Sequence, residues 1–326
     1  ILIFPERIKT VILNILNKIE IVLLNSQANK LTMKKKILLY LICFFALQIK
    51  AQIIPQNGTI ASSPEFIVLK NVSVYIRPGL KIEKASILIS NGKIIDIGKK
   101  ITIPKNAIEY DLEGKTIVPA FIELYTNIGM PKGSEQNYSP RPQIESSKTG
   151  PYYWNEAIHP EIEAHNFFTV DSKANENYLK SGFGFAVSHV QDGIVRGSGT
   201  LVSLGDENSS KNTISLKSGM FYSFSKGTST QTYPSSQMGS IALLRQSLYD
   251  LKFYSENEKH DQSISLERWK EGIGLPSLFK VNDKWEILRA EKIANEFQLK
   301  MNYIGSGNEY AALSSLKSVK GALILP

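Results

Sequence analysis

The stretch Lys115-Thr-Ile-Val-Pro-Ala-Phe-Ile-Glu-Leu-Tyr-Thr-Asn-Ile-Gly129 decides the fold. Val118 to Leu124 is an apolar, partly β-branched run entered through Pro119 and bounded by Gly114 and Gly129. That length and composition predict a buried core strand of a parallel sheet. The run ends in the polar residues Tyr125, Thr126 and Asn127, and barrel enzymes place their functional groups where such strands end.

Upstream, Phe66–Leu69, Val72–Ile76, Ala85–Ile89 and Lys93–Ile97 are short β-branched runs. Asn91-Gly92 between the last two is a type I′ hairpin sequence, so this part reads as a small β unit. Downstream, Pro131 to Tyr153 reads as a long proline-rich loop. Helical character over Lys173–Lys180 is followed by a strand within Ser181–Val190. Gln191–Gly199 is glycine-rich, but no helix clearly follows it, which argues against a phosphate loop. Thr200–Leu204 and Met220–Phe224 read as strands, separated by a polar turn over Gly205–Asn212. A helix capped by Ser235 or Ser236 comes next, its apolar stripe read as Met238, Ile241, Leu244, Leu248 and Leu251 or Phe253. The chain then reads as a strand at Leu275–Val281 and a helix at Trp285–Phe297 behind Asp283. A strand at Met301–Gly305, a short helix at Ala311–Lys317 and an apolar strand from Ala322 complete it.

The deciding stretch resembles the first barrel strand of the amidohydrolase superfamily, which reads Pro-Gly-Phe-Ile-Asp-Leu-His-Thr-His in many members. Here Pro119 to Asn127 take those positions, so the two metal-ligand histidines are replaced by Tyr125 and Asn127. The strand ending at Lys280 and the segment Gly305-Ser306-Gly307 stand where the resemblance calls for further histidines. The resemblance runs through Phe66–Pro326 and is strongest at Leu112–Gly129 and Ser225–Tyr254, where the sequence is similar to exported, imidazolonepropionase-like amidohydrolases of tandem type. It implies an α/β fold, a metal-dependent-hydrolase-like (β/α)8 barrel incomplete at its C-terminus, with a small N-terminal β-sandwich part. The expected domains are residues 65–118 for the sandwich part and 119–326 for the partial barrel.

Ahead of these, Met33-Lys34-Lys35-Lys36, an apolar core through Leu47 and the small residue Ala51 read as a signal peptide over residues 33–51. Residues 1–32 read as upstream translation and 52–64 as a flexible lead-in. The expected location is therefore exported, periplasmic or extracellular, with no stable membrane span. The formal net charge of +8 sits largely in residues 1–51, which hold eight Lys/Arg and two Glu, so the remainder carries only +2. No basic patch with interleaved aromatics follows, which argues against nucleic acid. The single cysteine, Cys43, falls in the leader, so the mature region has no disulfide, thiol nucleophile or cysteine metal site.

The four histidines lack the family's spacing. His159 and His165 read as hydrogen-bonded or surface residues, His260 sits in a polar segment, and His189, ending a strand, is the one pocket residue. His189, Asp192 and Arg196 form a nominal acid/base group without an identifiable nucleophile. Ser225–Lys226 reads as adjacent strand residues pointing opposite ways, Arg245, Gln246 and Asp250 as a solvated helix face, and Tyr152–Asn155 as loop packing. No catalytic, cofactor-binding or metal residue is assigned. Three readings stay open: a non-catalytic N-terminal half of a hydrolase of non-peptide carbon–nitrogen bonds, its zinc-type divalent metal and partner unit lying in a missing C-terminal half; a metal-free binding module for a small peptide or cyclic amide; and a divergent metal-independent hydrolase using His189.

Overall fold

The computed structural model describes residues 65–131, 142–205, 209–257 and 259–325. The readings of residues 1–32, 33–51 and 52–64 lie outside these residues, as does part of the loop after Pro131. Two sheets are present and are taken in turn.

The first sheet contains β1 (Ile67–Arg77), β2 (Leu80–Ser90), β3 (Lys93–Gly98), β4 (Ile108–Asp111) and β5 (Thr116–Ile117). Its order is β3-β2-β1-β4, with β5 also pairing with β1. Val68, Val72 and Val74 are buried at a spacing of two or four, as one face of a pleated strand requires. The two runs that the sequence divides around Asn71 are one strand. Asn71 takes a positive φ of 57° there, a conformation that asparagine tolerates, so the polar residue does not break the element. Asn91 and Gly92 have φ of 48° and 72°, matching the hairpin expectation. Among the described residues these strands form one sheet rather than two packed layers.

The second sheet runs β12-β11-β10-β9-β8-β7-β6. Its strands are β6 (Phe121–Thr126), β7 (Phe183–Ser188), β8 (Val195–Ser203), β9 (Thr213–Ser223), β10 (Ser277–Lys280), β11 (Met301–Ile304) and β12 (Leu323–Ile324). Four helices of nine residues or more join them, α1 (Ser172–Lys180) before β7, α2 (Gln237–Glu256) and α3 (Ile264–Gly272) before β10, and α4 (Lys284–Glu296) before β11, and single helical turns at Ser209–Asn212 and Leu313–Leu316 precede β9 and β12. Each of α1 to α4 has a side-chain N-cap, from Asp171, Ser236, Ser263 and Asp283 respectively, which accepts an otherwise unpaired first-turn N–H. The core gathers Leu243, Leu244 and Leu251 of α2, Trp269 of α3 and Ile287 of α4 against Tyr222 of β9, Phe279 of β10 and Tyr303 of β11. Within it the Trp269 indole N–H donates to the Tyr222 hydroxyl at 3.0 Å, so neither buried polar atom is left unpaired.

Four expectations are corrected. First, the sheet is not uniformly parallel. β8 is antiparallel to both β7 and β9, while β6–β7 and β9 through β12 pair in parallel. The connections from Ser188 to Val195 and from Ser203 to Thr213 are too short for crossover helices, so β7, β8 and β9 fold as a meander. The seven strands form an open path among the described residues. Second, β6 is an edge strand. Among the described residues it pairs only with β7, and Phe121 and Ile122 are 62 % and 49 % exposed.

Third, the buried stripe of α2 is rotated from the expected one. Met238 is 80 % exposed and Phe253 is exposed, while Ser240, Leu243, Ser247 and Tyr254 are buried beside Leu244, Leu248 and Leu251. Fourth, α3 lies over Ile264–Gly272, a stretch to which the sequence reading assigned no element. The polar turn expected over Gly205–Asn212 likewise ends in a single helical turn, Ser209–Asn212. The glycine-rich stretch ends inside β8, where Gly197 has φ of 78° and an added Cβ would meet the Ile162 carbonyl oxygen at 1.9 Å. A glycine is required there because the chain at Ile158–Glu163 runs directly along β8.

Candidate functional site

The parallel strands β6, β7, β9, β10 and β11 end at one edge of the second sheet, at Thr126, Ser188, Ser223, Lys280 and Ile304. Because β8 runs the other way, its start lies at that same edge, with Val195 registered against Tyr222. The inversion brings Arg196 among the strand ends.

Arg196 is only 6 % exposed, and each of its three guanidinium nitrogens donates one bond to a neutral acceptor. Nη1 donates to Tyr125 Oη at 2.7 Å, Nη2 to Ser223 Oγ at 2.9 Å and Nε to the Gly193 carbonyl at 3.0 Å. Ser223 Oγ in turn donates to the same carbonyl at 3.1 Å. Lys280 reaches the group from β10: its Nζ lies 5.7 Å from the centroid of the Tyr125 ring and donates to the Gly305 carbonyl at 2.7 Å. Partial burial lowers the Lys280 pKa, opposed by Glu309 and assisted by Arg196. Glu309 holds the following turn together by accepting from the Ser306 and Gly307 backbone N–H groups at 2.5 and 2.9 Å.

His189 is completely buried at this edge. Its ring stacks on Phe221 at 3.6 Å and lies 4.8 Å from the Tyr125 ring, with neither nitrogen hydrogen-bonded. Burial, reinforced by the Arg196 charge, holds its pKa well below the ordinary imidazole value, so it is neutral. The nominal group of His189, Asp192 and Arg196 is not assembled. Asp192 accepts instead from Thr228 N at 2.6 Å and Thr228 Oγ1 at 2.8 Å, and its Oδ2 lies 3.9 Å from His159 Nε2.

His159 corrects a further expectation, because it is buried with both ring nitrogens unpartnered. Burial is the main cause of its pKa being lowered to about 4. His165 Nε2 lies 3.8 Å from Glu163, and the His260 ring lies against Tyr254. Ser225 and Lys226 follow β9 rather than lying on it. Ser225 Oγ accepts from Gly227 N and Lys226 Nζ donates to the Gln231 carbonyl, so they do not form a nucleophile–base pair. Arg245 pairs with Glu296 at 2.7 Å, and Asp250 accepts from Gln246 and from the Tyr153 hydroxyl, which fits a structural helix face. Of the aromatic loop, Tyr153 packs into the core and Trp154 stacks on Tyr233.

The donor set at the strand ends does not suit a divalent ion. Tyr125 is bonded to a guanidinium, Asn127 is exposed, and the other strand ends contribute a lysine and a glycine. Among the described residues no group of three or more His, Cys, Asp or Glu is placed to hold a metal. Two positive side chains at this edge would oppose an added cation, and neither is a metal ligand in its charged form. The sequence singled out Tyr125 and Lys280 by position. It missed the role of Arg196, because strand direction is not encoded in apolar spacing.

This fold and strand-end edge define a mixed α/β protein. An amidohydrolase from Thermotoga maritima MSB8 superposes with a TM-score of 0.64 at 22 % sequence identity, covering 80 % of this chain and 70 % of that one. A dihydroorotase from Caldanaerobacter subterraneus subsp. tengcongensis is 39 % identical over 84 residues, which span 26 % of this chain and 19 % of that curated relative. No family model matches the chain. The likeness to the solved amidohydrolase is one of fold. No described helix is long and apolar enough to cross a membrane.

Proposed function

We propose that this chain is a non-catalytic, amidohydrolase-fold unit of an exported hydrolase acting on carbon–nitrogen bonds other than ordinary peptides. One observation carries the reading: Arg196 bonds Tyr125 at 2.7 Å, so a fixed positive charge stands beside the residue aligned with a ligand histidine. The similarity to the amidohydrolase and to a short stretch of dihydroorotase supports the carbon–nitrogen chemistry. On this reading residues 65–118 belong to a small β-sandwich completed elsewhere, and residues 119–326 are part of a barrel. A second unit following Pro326 supplies the remaining strands and the histidine ligands for a zinc-type metal.

The test is to express the full coding frame, including whatever follows the codon for Pro326, and assay hydrolysis of N-acyl amino acids and cyclic amides. Substituting the downstream histidines should abolish turnover, while Tyr125→Phe and His189→Phe within this chain should leave kcat nearly unchanged. Loss of turnover from His189→Phe, with the fold intact, would favour the metal-independent hydrolase instead. The alternative of a metal-free binding module is favoured by the two cations gathered around Tyr125.

A further inference from the structure

The charge balance at the strand ends goes beyond that reading and does not depend on it. Arg196 is nearly buried, yet its three hydrogen bonds go to a phenol, a hydroxyl and a carbonyl, all neutral. A guanidinium has five N–H groups, so two remain beyond those bonds. Removing an uncompensated cation from water is costly, and buried charges ordinarily find an opposite partner. Lys280 adds a second positive group across the same tyrosine ring, its single hydrogen bond again going to a carbonyl. The two carboxylates acting on it are both occupied, Glu309 by the backbone N–H groups and hydroxyl of Ser306–Gly307 and Glu286 by Gln237 and Asn282. Tyr125 and Lys280 are both partly exposed, which leaves this edge reachable from solvent, and His189 closes the inner side as a neutral ring with two unpartnered nitrogens.

We infer that Arg196, Lys280 and Tyr125 form a binding site for the carboxylate of a small organic acid. The forked guanidinium matches a planar two-oxygen anion, with the ammonium as a second point charge. A monoanion suits the site better than phosphate, because the nearby backbone N–H groups of Ser306 and Gly307 already serve Glu309.

Titration calorimetry on the whole chain, with N-acetylglycine against its neutral isostere N-acetylglycinamide, tests this. The carboxylate should bind saturably and the amide should not, and binding should weaken as salt is raised. Lys280→Met should weaken binding by about tenfold, the loss of one charge-assisted contact, while Lys252→Met, on the exposed face of α2, should leave it unchanged. Arg196→Lys keeps the charge but loses the fork, and should weaken binding further than Lys280→Met if the variant retains the wild-type circular dichroism. Equal binding of acid and amide, an unchanged affinity in Lys280→Met, or tighter binding of inorganic phosphate would each overturn the assignment.

Discussion

Arg196 Nη1 stands 2.7 Å from Tyr125 Oη, joining the first residue pair of an inverted strand to the end of an edge strand. That bond decides how the strand ends behave toward metals. Restoring the two histidines of the resemblance, Tyr125→His with Asn127→His, should not create a zinc site while the guanidinium remains beside them. Calorimetric titration with Zn2+ should show no stoichiometric high-affinity uptake by the double variant. Tyr125→Phe alone should destabilise the fold by about 1.5–3 kcal/mol, the range for a hydrogen bond to a charged group, read from urea unfolding.

The two buried neutral histidines set a pH dependence. His159 has its pKa lowered to about 4 and His189 lies well below its ordinary value. In the unfolded chain both return to about 6.5. Below that value the unfolded state binds protons that the folded state does not, so their stabilising contribution is full above pH 6.5 and is lost as pH falls. For His159 this should cost about 1.5 kcal/mol between pH 6.5 and pH 5, and His189 should add a loss of the same sign. In His189→Phe, which retains the stack on Phe221, the drop in urea midpoint over this interval should be clearly smaller than in the wild type.

Gly197 has φ of 78° and faces the Ile162 carbonyl at a distance that leaves no room for a methyl group. Gly197→Ala should cost at least about 2 kcal/mol by combining backbone strain with a steric clash. Gly205→Ala, where the surrounding space is open, is the control and should change thermal stability little.

The observed face of α2 gives a third comparison. Leu243→Ala should destabilise by about 2–5 kcal/mol because Leu243 is fully packed, whereas Met238→Ala should lie within about 0.5 kcal/mol of wild type. Equal effects would contradict the packing described for this helix.

These contrasts also mark what was legible in the sequence. Apolar spacing located β6, β7, β9, β10, β11, α1, α2 and α4, and Asn91-Gly92 located the first-sheet hairpin, because local backbone preferences act there. The sequence did not reveal that β8 runs antiparallel, since side-chain alternation is the same in either direction. It therefore gave no reason to place Arg196 with Tyr125 and Ser223. Asn71 looked like a break because its positive φ inside a strand is a tertiary accommodation. Met238 satisfied the helical spacing as well as Leu243 did, and only packing against β9 and its neighbours distinguishes them. The burial of His159 was likewise invisible, because it depends on Gly193, where an added Cβ would lie 2.2 Å from His159 Nε2.

The central proposal to be tested is that this chain does not itself run metal chemistry. The most direct measurement is elemental analysis of the purified chain, as isolated and after incubation with Zn2+ followed by desalting. It is paired with hydrolysis assays on N-acyl amino acids and cyclic amides. The account predicts substoichiometric metal in both preparations and no turnover above background. A stoichiometric retained zinc, with turnover that chelation removes and zinc restores, would contradict it.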